Sequence, residues 1–241
     1  MNEHDEIIEL YNKGSYAEAL KSFKSEYPSD ESTPLELTAI RGWCYYRTGK
    51  FVEAKNMSTL AILSNDVNGW RLLAQISARA IKDDKLLAEI LKEFPNDSAI
   101  CNAYLIRALE DDSTLPMEDV LDIALRMING DEISDTNGIN NAARIFERKG
   151  GKAGAVTALG LWDIALVKYE EGTNTLHHRA AVWFWKSKAY KLLGNLELAR
   201  IAGKESLRLW YEQVRADPDN QEFKNKTVGA KQWLEEISNT T

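Results

Sequence analysis

His177 and His178 stand side by side, Gly150, Gly151, Gly154 and Gly160 crowd one stretch, and Asp83-Asp84 and Asp111-Asp112 form acidic pairs. Each pattern could do chemistry. Imidazoles bind metals or move protons, glycine-rich loops cradle phosphates, and paired carboxylates share acid–base work. The spacings argue against all three. Adjacent side chains on a helix point about 100° apart, so the two histidines cannot close on one metal, and no cysteine or third histidine is near. Nothing strand-like precedes Gly150, and Ala, Val and Leu fill the gaps between the glycines, which reads as a turn followed by close helix packing. The acidic pairs fall in expected turns, where solvated caps are ordinary. No nucleophile elbow, HExxH, P-loop or GxGxxG is present. No metal, no cofactor and no catalytic activity is expected.

Composition narrows the class. The chain has 241 residues with 14 Gly and 5 Pro, too few for an all-β fold built on tight turns, and helix formers dominate. Net charge is −7, and residues 1–34 hold eight acidic side chains against three lysines. No contiguous basic stretch exists, which disfavours nucleic acid or an anionic membrane as partner. Cys44 and Cys101 lie in helix-like runs without CxxC spacing and read as small buried thiols. The acidic N-terminus has no apolar signal core and no run reaches the length of a membrane span, so a cytoplasmic location is expected.

Three copies of one phrase punctuate the chain: Tyr27-Pro28-Ser29-Asp30, Phe94-Pro95-Asn96-Asp97 and Asp217-Pro218-Asp219-Asn220. Proline stops a helix, because it lacks an N–H and collides with the preceding turn, and the Asp or Asn beyond it can cap the next one. Gly14, Gly49 and Gly194 separate paired runs. Each is followed two residues on by Tyr16, Phe51 or Leu196, and five residues on by Ala19, Ala54 or Ala199. Glycine permits the tight turn, the bulky residue fills the elbow, and alanine lets the helices approach. Helical runs are expected at 70–81, 85–94, 98–110, 117–128, 152–171 and 176–193. The last run, 220–238, carries Phe223, Trp233, Leu234 and Ile237 on one side, as a helix closing the end of a stack would. The alternative for it is a helix that binds a partner.

On these residues the chain resembles the tetratricopeptide-repeat family, whose helix-turn-helix unit of about 34 residues has a W-x2-L-G-x2-Y, A-x3-F, P pattern. Ala19, Phe23 and Pro28 match its second half, and Gly42 and Tyr45 match its G-x2-Y. Trp183 and Tyr190 keep the spacing of its Trp and Tyr, and Trp70 and Ala74 match a first helix in which Ser77 replaces the Tyr. The resemblance implies an all-α fold: a right-handed α-solenoid of about six repeats over residues 3–217, with a C-terminal capping helix and tail at 218–241.

In that family the first helices of successive repeats line a concave groove. Carried across by register, the groove takes Trp43, Tyr46 and Arg47 from the second repeat, and Arg71, Gln75 and Arg79 from the third. It takes Tyr104 and Arg107 from the fourth, Asn137, Asn140 and Arg144 from the fifth, and Lys188 and Lys191 from the sixth. The set is polar, aromatic and net basic inside an acidic protein. The implied function is a protein–protein interaction scaffold whose groove receives a peptide or partner helix of acidic character. A peptide-sensing regulator is the alternative, with an enzyme on an α-solenoid behind it. The chaperone-binding carboxylate clamp of some family members is absent, since His4, Ile8 and Ile40 occupy its positions.

Overall fold

Helix follows helix along this chain, and what separates them is a recurring backbone device. The computed structural model describes residues 3–129, 136–171 and 175–239, and no strand occurs among them. By its contacts the chain divides into two compact units, Met1–Leu115 and Pro116–Thr241. The division falls between the two helices of the fourth expected repeat. Unit one holds α1 (Glu3–Asn12), α2 (Tyr16–Glu26), α3 (Leu35–Arg47), α4 (Phe51–Leu63), α5 (Val67–Ile76), α6 (Asp84–Glu93) and α7 (Ser98–Ala108). A π-helical turn, Ser77–Ile81, prolongs α5. Unit two holds α8 (Met117–Asn129), α9 (Thr136–Lys149), α10 (Gly151–Glu171), α11 (Leu176–Leu192), α12 (Leu196–Ala216) and α13 (Gln221–Ser238).

Gly14, Gly49 and Gly194 sit at φ of 78°, 79° and 83°, a region that L side chains rarely adopt. At each, the next residue's N–H reaches back to a carbonyl five residues earlier: Ser15 to Leu10, Lys50 to Tyr45 and Asn195 to Tyr190, all at 2.9 Å. These bonds satisfy helix-end carbonyls and turn the chain back at once. At the turn 33 residues beyond Gly49, Lys82 (φ 57°) takes the left-handed region without a glycine, and Asn65 (φ 59°) takes it between α4 and α5. Gly150 and Gly154 serve packing, since a Cβ on Gly154 would lie 2.1 Å from the Phe146 carbonyl oxygen on α9.

The proline phrases behave in two ways. Asp97 caps α7 by accepting from the N–H groups of Ala99 and Ile100, and Asn220 caps α13 through Glu222 and Phe223. Asp30 caps nothing, because Glu31–Pro34 intervene before α3, and it turns inward instead. It pairs with Arg41 at 2.9 Å and accepts from the Tyr45 hydroxyl. Arg41, 1% exposed, also donates to the carbonyls of Tyr27 and Ser29 and to Thr33 Oγ1, so one guanidinium holds the whole 27–33 loop.

Neighbouring helices pack on each other throughout each unit, and the odd-numbered helices also meet among themselves: α1, α3, α5 and α7 in unit one, and α9, α11 and α13 in unit two. Phe23, Leu37, Cys44, Met57, Leu72 and Ile76 form the core shared by α2 to α5. In unit two, Leu209, Trp210 and Ala230 lock α12 and α13 onto Ala180 of α11, with Trp183, Phe184 and Phe223 against them. The last helix is thus seated by Phe223, Ala230 and Ile237, and Trp233 donates to Ser187 Oγ at 2.9 Å. Both cysteines are buried thiols outside any disulfide, and burial pushes the Cys44 thiol up to about 12.

Two substitutions separate conformation from space. A Cβ on Gly49 or on Gly160 would meet nothing within 4 Å, but only Gly49 is left-handed. Gly49→Ala should cost about 1 kcal/mol, and Gly160→Ala in α10 should gain about 1 kcal/mol, both read by urea unfolding.

Candidate functional site

The expected groove residues part company once their side chains are placed. Tyr104 is wholly buried and Arg107 is 3% exposed, so neither offers surface to a partner. Arg107 donates Nε to Asp84 at 2.6 Å, Nη1 to the Asp112 carboxylate and Nη2 to the Asp112 carbonyl. The second oxygen of Asp84 accepts from the N–H and hydroxyl of Thr114. Burial alone would raise the Asp84 pKa, but the hydrogen bonds from Thr114 and Arg107 outweigh it and hold the carboxyl below its ordinary range. Arg107 is a bolt between α6, α7 and the loop that follows. Arg71 works similarly, donating to the capping carboxylate of Asp97 at 2.8 Å and to Asn68 at 3.1 Å.

Trp43 and Tyr46 meet edge to face at 5.6 Å, Tyr46 meets Phe51, and Arg47 lies over the Tyr16 ring. Gln75 is partly buried on α5, and Arg79 is exposed near enough to Tyr46 to act on its phenol, whose pKa burial raises. In unit two, the asparagines face α10 with their carbonyl oxygens. Asn137 accepts from the Tyr169 hydroxyl at 2.8 Å and Asn140 from Trp162 Nε1 at 2.9 Å. Their visible role is to hold α9 to α10.

Arg144, Lys188 and Lys191 come together differently. The Arg144 guanidinium lies 4.9 Å from the centre of the Trp185 ring, and Lys188 lies 4.7 Å from the same ring, 5.0 Å from Phe184 and 5.5 Å from Trp233. Lys191 sits 4.7 Å from Trp233 and pairs with Glu236 at 2.6 Å. Three helices therefore supply one surface: α9 through Arg144, α11 through Lys188 and Lys191, and α13 through Trp233. A ring face attracts a cation through its quadrupole without occupying the N–H donors. Glu147, half-buried on α9, lies in the field of Lys188, Arg144 and Arg148, and burial still outweighs them and raises its pKa.

Beside this surface, a cleft of about 300 Å³ opens between α11, α12 and α13. Phe184, Trp185 and Trp210 are its aromatic walls, and His177 and His178 stand at one end. The floor on α13 is the stripe Glu222, Asn225, Lys226 and Gly229, one helical face. Sequence reasoning set the histidines aside as surface residues, but His178 is half-buried, stacked on Tyr169 at 5.1 Å and 6°, with the His177 ring 3.9 Å away. Trp210 was also missed as a wall. The one available signal was Gly229, a helix-weakening residue placed mid-helix. Among the described residues, no group of three His, Cys, Asp or Glu could hold a metal ion, and no helix is long and apolar enough to cross a membrane. No family model and no curated protein matches this chain.

The histidine pair gives a pH dependence. Burial, then the neighbouring His177, lowers the His178 pKa from its usual 6.5. The unfolded chain therefore takes up this proton first as pH falls, and stability drops from about 6.5 down to the folded pKa, then levels. Acidification from about pH 7.5 to 5.5 should lower Tm. His178→Phe, which keeps the stack on Tyr169, should flatten that fall in a thermal scan.

Proposed function

We propose that this chain is a non-catalytic, protein-binding scaffold built of tetratricopeptide-type helix pairs, and that unit two receives an acidic peptide segment across α9, α11 and α13. Support for the repeats comes from the left-handed turns at residues 14, 49, 82 and 194 and from the row of contacts among odd-numbered helices. First helices that touch in succession are what a right-handed α-solenoid requires, with α13 continuing the row as its cap. The reading includes a cytoplasmic location, where buried thiols outside any disulfide, such as Cys44 and Cys101, are ordinary.

One observation carries the choice of partner. Arg144 and Lys188 lie against the Trp185, Phe184 and Trp233 rings, with one Arg144 N–H given to Asn141 at 3.5 Å, whereas Arg41, Arg71 and Arg107 are spent on aspartates of their own chain. Cations ordered by ring faces keep donors for incoming carboxylates, and their rotamer entropy is partly lost before binding. Charge-assisted hydrogen bonds contribute about 1.5–3 kcal/mol each, enough for the surface to discriminate by charge in an acidic protein.

The test is fluorescence anisotropy with a fluorescein-labelled ten-residue polyglutamate peptide. Wild type should bind it, more weakly as salt rises, and should not bind polylysine of the same length. Arg144→Glu combined with Lys188→Glu should lower the affinity by at least about a hundredfold, two charge-assisted contacts at about 1.5 kcal/mol or more each. Undiminished binding by that folded double variant overturns the reading. Arg71 is left intact, because changing it would strip Asp97 of its partner at the α7 cap.

A further inference from the structure

We propose that the α11–α13 cleft seats a bulky aromatic side chain carried by the acidic segment, so that the partner is an aromatic residue flanked by carboxylates. This rests on the reading of unit two as an acidic-peptide site and adds the feature that would fix the peptide's register.

Three observations lead there. The first is continuity. Phe184 and Trp185 line the cleft and also hold Lys188, and Trp185 holds Arg144 as well. A peptide whose carboxylates reach those cations therefore passes the mouth of the cleft. The second is size and lining. About 300 Å³ lies at the small end of ligand sites, suited to one large side chain, and the walls are aromatic faces that favour offset or edge-on packing with another ring. The polar floor, with Asn225 and Glu222, can accept from an indole N–H or a phenol.

Gly229 is the third. It lies inside α13, where glycine weakens a helix, yet neither crowding nor backbone conformation demands it. A Cβ there would meet nothing within 4 Å, and its φ is not in the left-handed region, unlike Gly49 or Gly194. By contrast, a Cβ on Gly203 would touch Leu234 and Ser187. Gly229 lines the cleft and, lacking a side chain, leaves it open on the α13 side.

The experiment uses the full chain and three labelled ten-residue peptides: polyglutamate with one central Trp, the same with Ala in its place, and polyglutamine with the central Trp. Wild type should bind the acidic Trp peptide at least tenfold more tightly than the acidic Ala peptide, and more tightly than the polyglutamine one. Gly229→Leu, which adds a side chain into open space and favours helix, should bring the Trp peptide down to the affinity of the Ala peptide. Equal affinities of the two acidic peptides for wild type overturn the aromatic seat and leave the acidic-peptide reading standing. A tenfold preference that survives Gly229→Leu overturns the assignment to this cleft. Failure of both acidic peptides to bind overturns the two readings together.

Discussion

A helix that buries one face must have somewhere to bury it, and in this chain the answer depends on how sharply each helix is turned back on its neighbour. At Gly14, Gly49 and Gly194 a single left-handed residue closes the helix end, and a five-residue back-bond satisfies carbonyls that would otherwise be lost. A connection of three residues then suffices at each of these turns. Longer connections leave backbone groups to pair by other means, and the two longest among the described residues, 27–34 and 109–116, are each held by an arginine. Arg41 holds the 27–33 loop, and Arg107 holds Asp84, Asp112 and through them Thr114. Turn geometry and buried guanidinium are two solutions to the same demand for satisfied polar groups.

That contrast also separates structural cations from candidate binding ones. Arg41 and Arg107 are almost fully buried, and removing either would strand partly buried carboxylates and carbonyls. Their hydrogen-bonding capacity is directed at their own loops. Arg144 and Lys188 are ordered by rings, with Arg144 partly buried and its pKa lowered by that burial and by Arg148, against the pull of Glu147. A burial cost of this kind would be offset by an incoming carboxylate. The same charge type, on helices of the same kind, is thus held in different ways according to what it lies against.

Much of the fold was legible in the sequence because its signals are local. Proline, glycine and the Asp or Asn beyond them set helix ends within two or three residues of their observed places, and the 3.6-residue pattern did the rest. The site was less legible, for a reason visible in Tyr104 and Arg107. Helical register says which way a side chain leaves its own helix, but not whether a loop folds over it. The segment after α7 does so, with Asp112 reaching back to Arg107. Asp30 misled in the same manner, since its spacing after proline resembles that of Asp97, yet four further residues delay α3. Lys82 shows the reverse case, a left-handed turn without the glycine that usually announces it.

The cleft was illegible because its walls come from α11, α12 and α13, and no local pattern records which of their faces meet. Trp183 and Trp185 are two residues apart, about 200° around α11, and that angle sends them to different surroundings. Trp183 packs with Leu209 and Trp210, with the buried Lys186 over its ring, while Trp185 looks toward Arg144 of α9 and into the cleft. One short stretch of α11 therefore supplies both the packing that seats α13 and the rings that order the cations. Because Trp233 of α13 is hydrogen-bonded to Ser187 and lies beside Lys188, the position of the last helix sets the geometry of that surface. The last helix is part of the surface that bears Arg144 and Lys188.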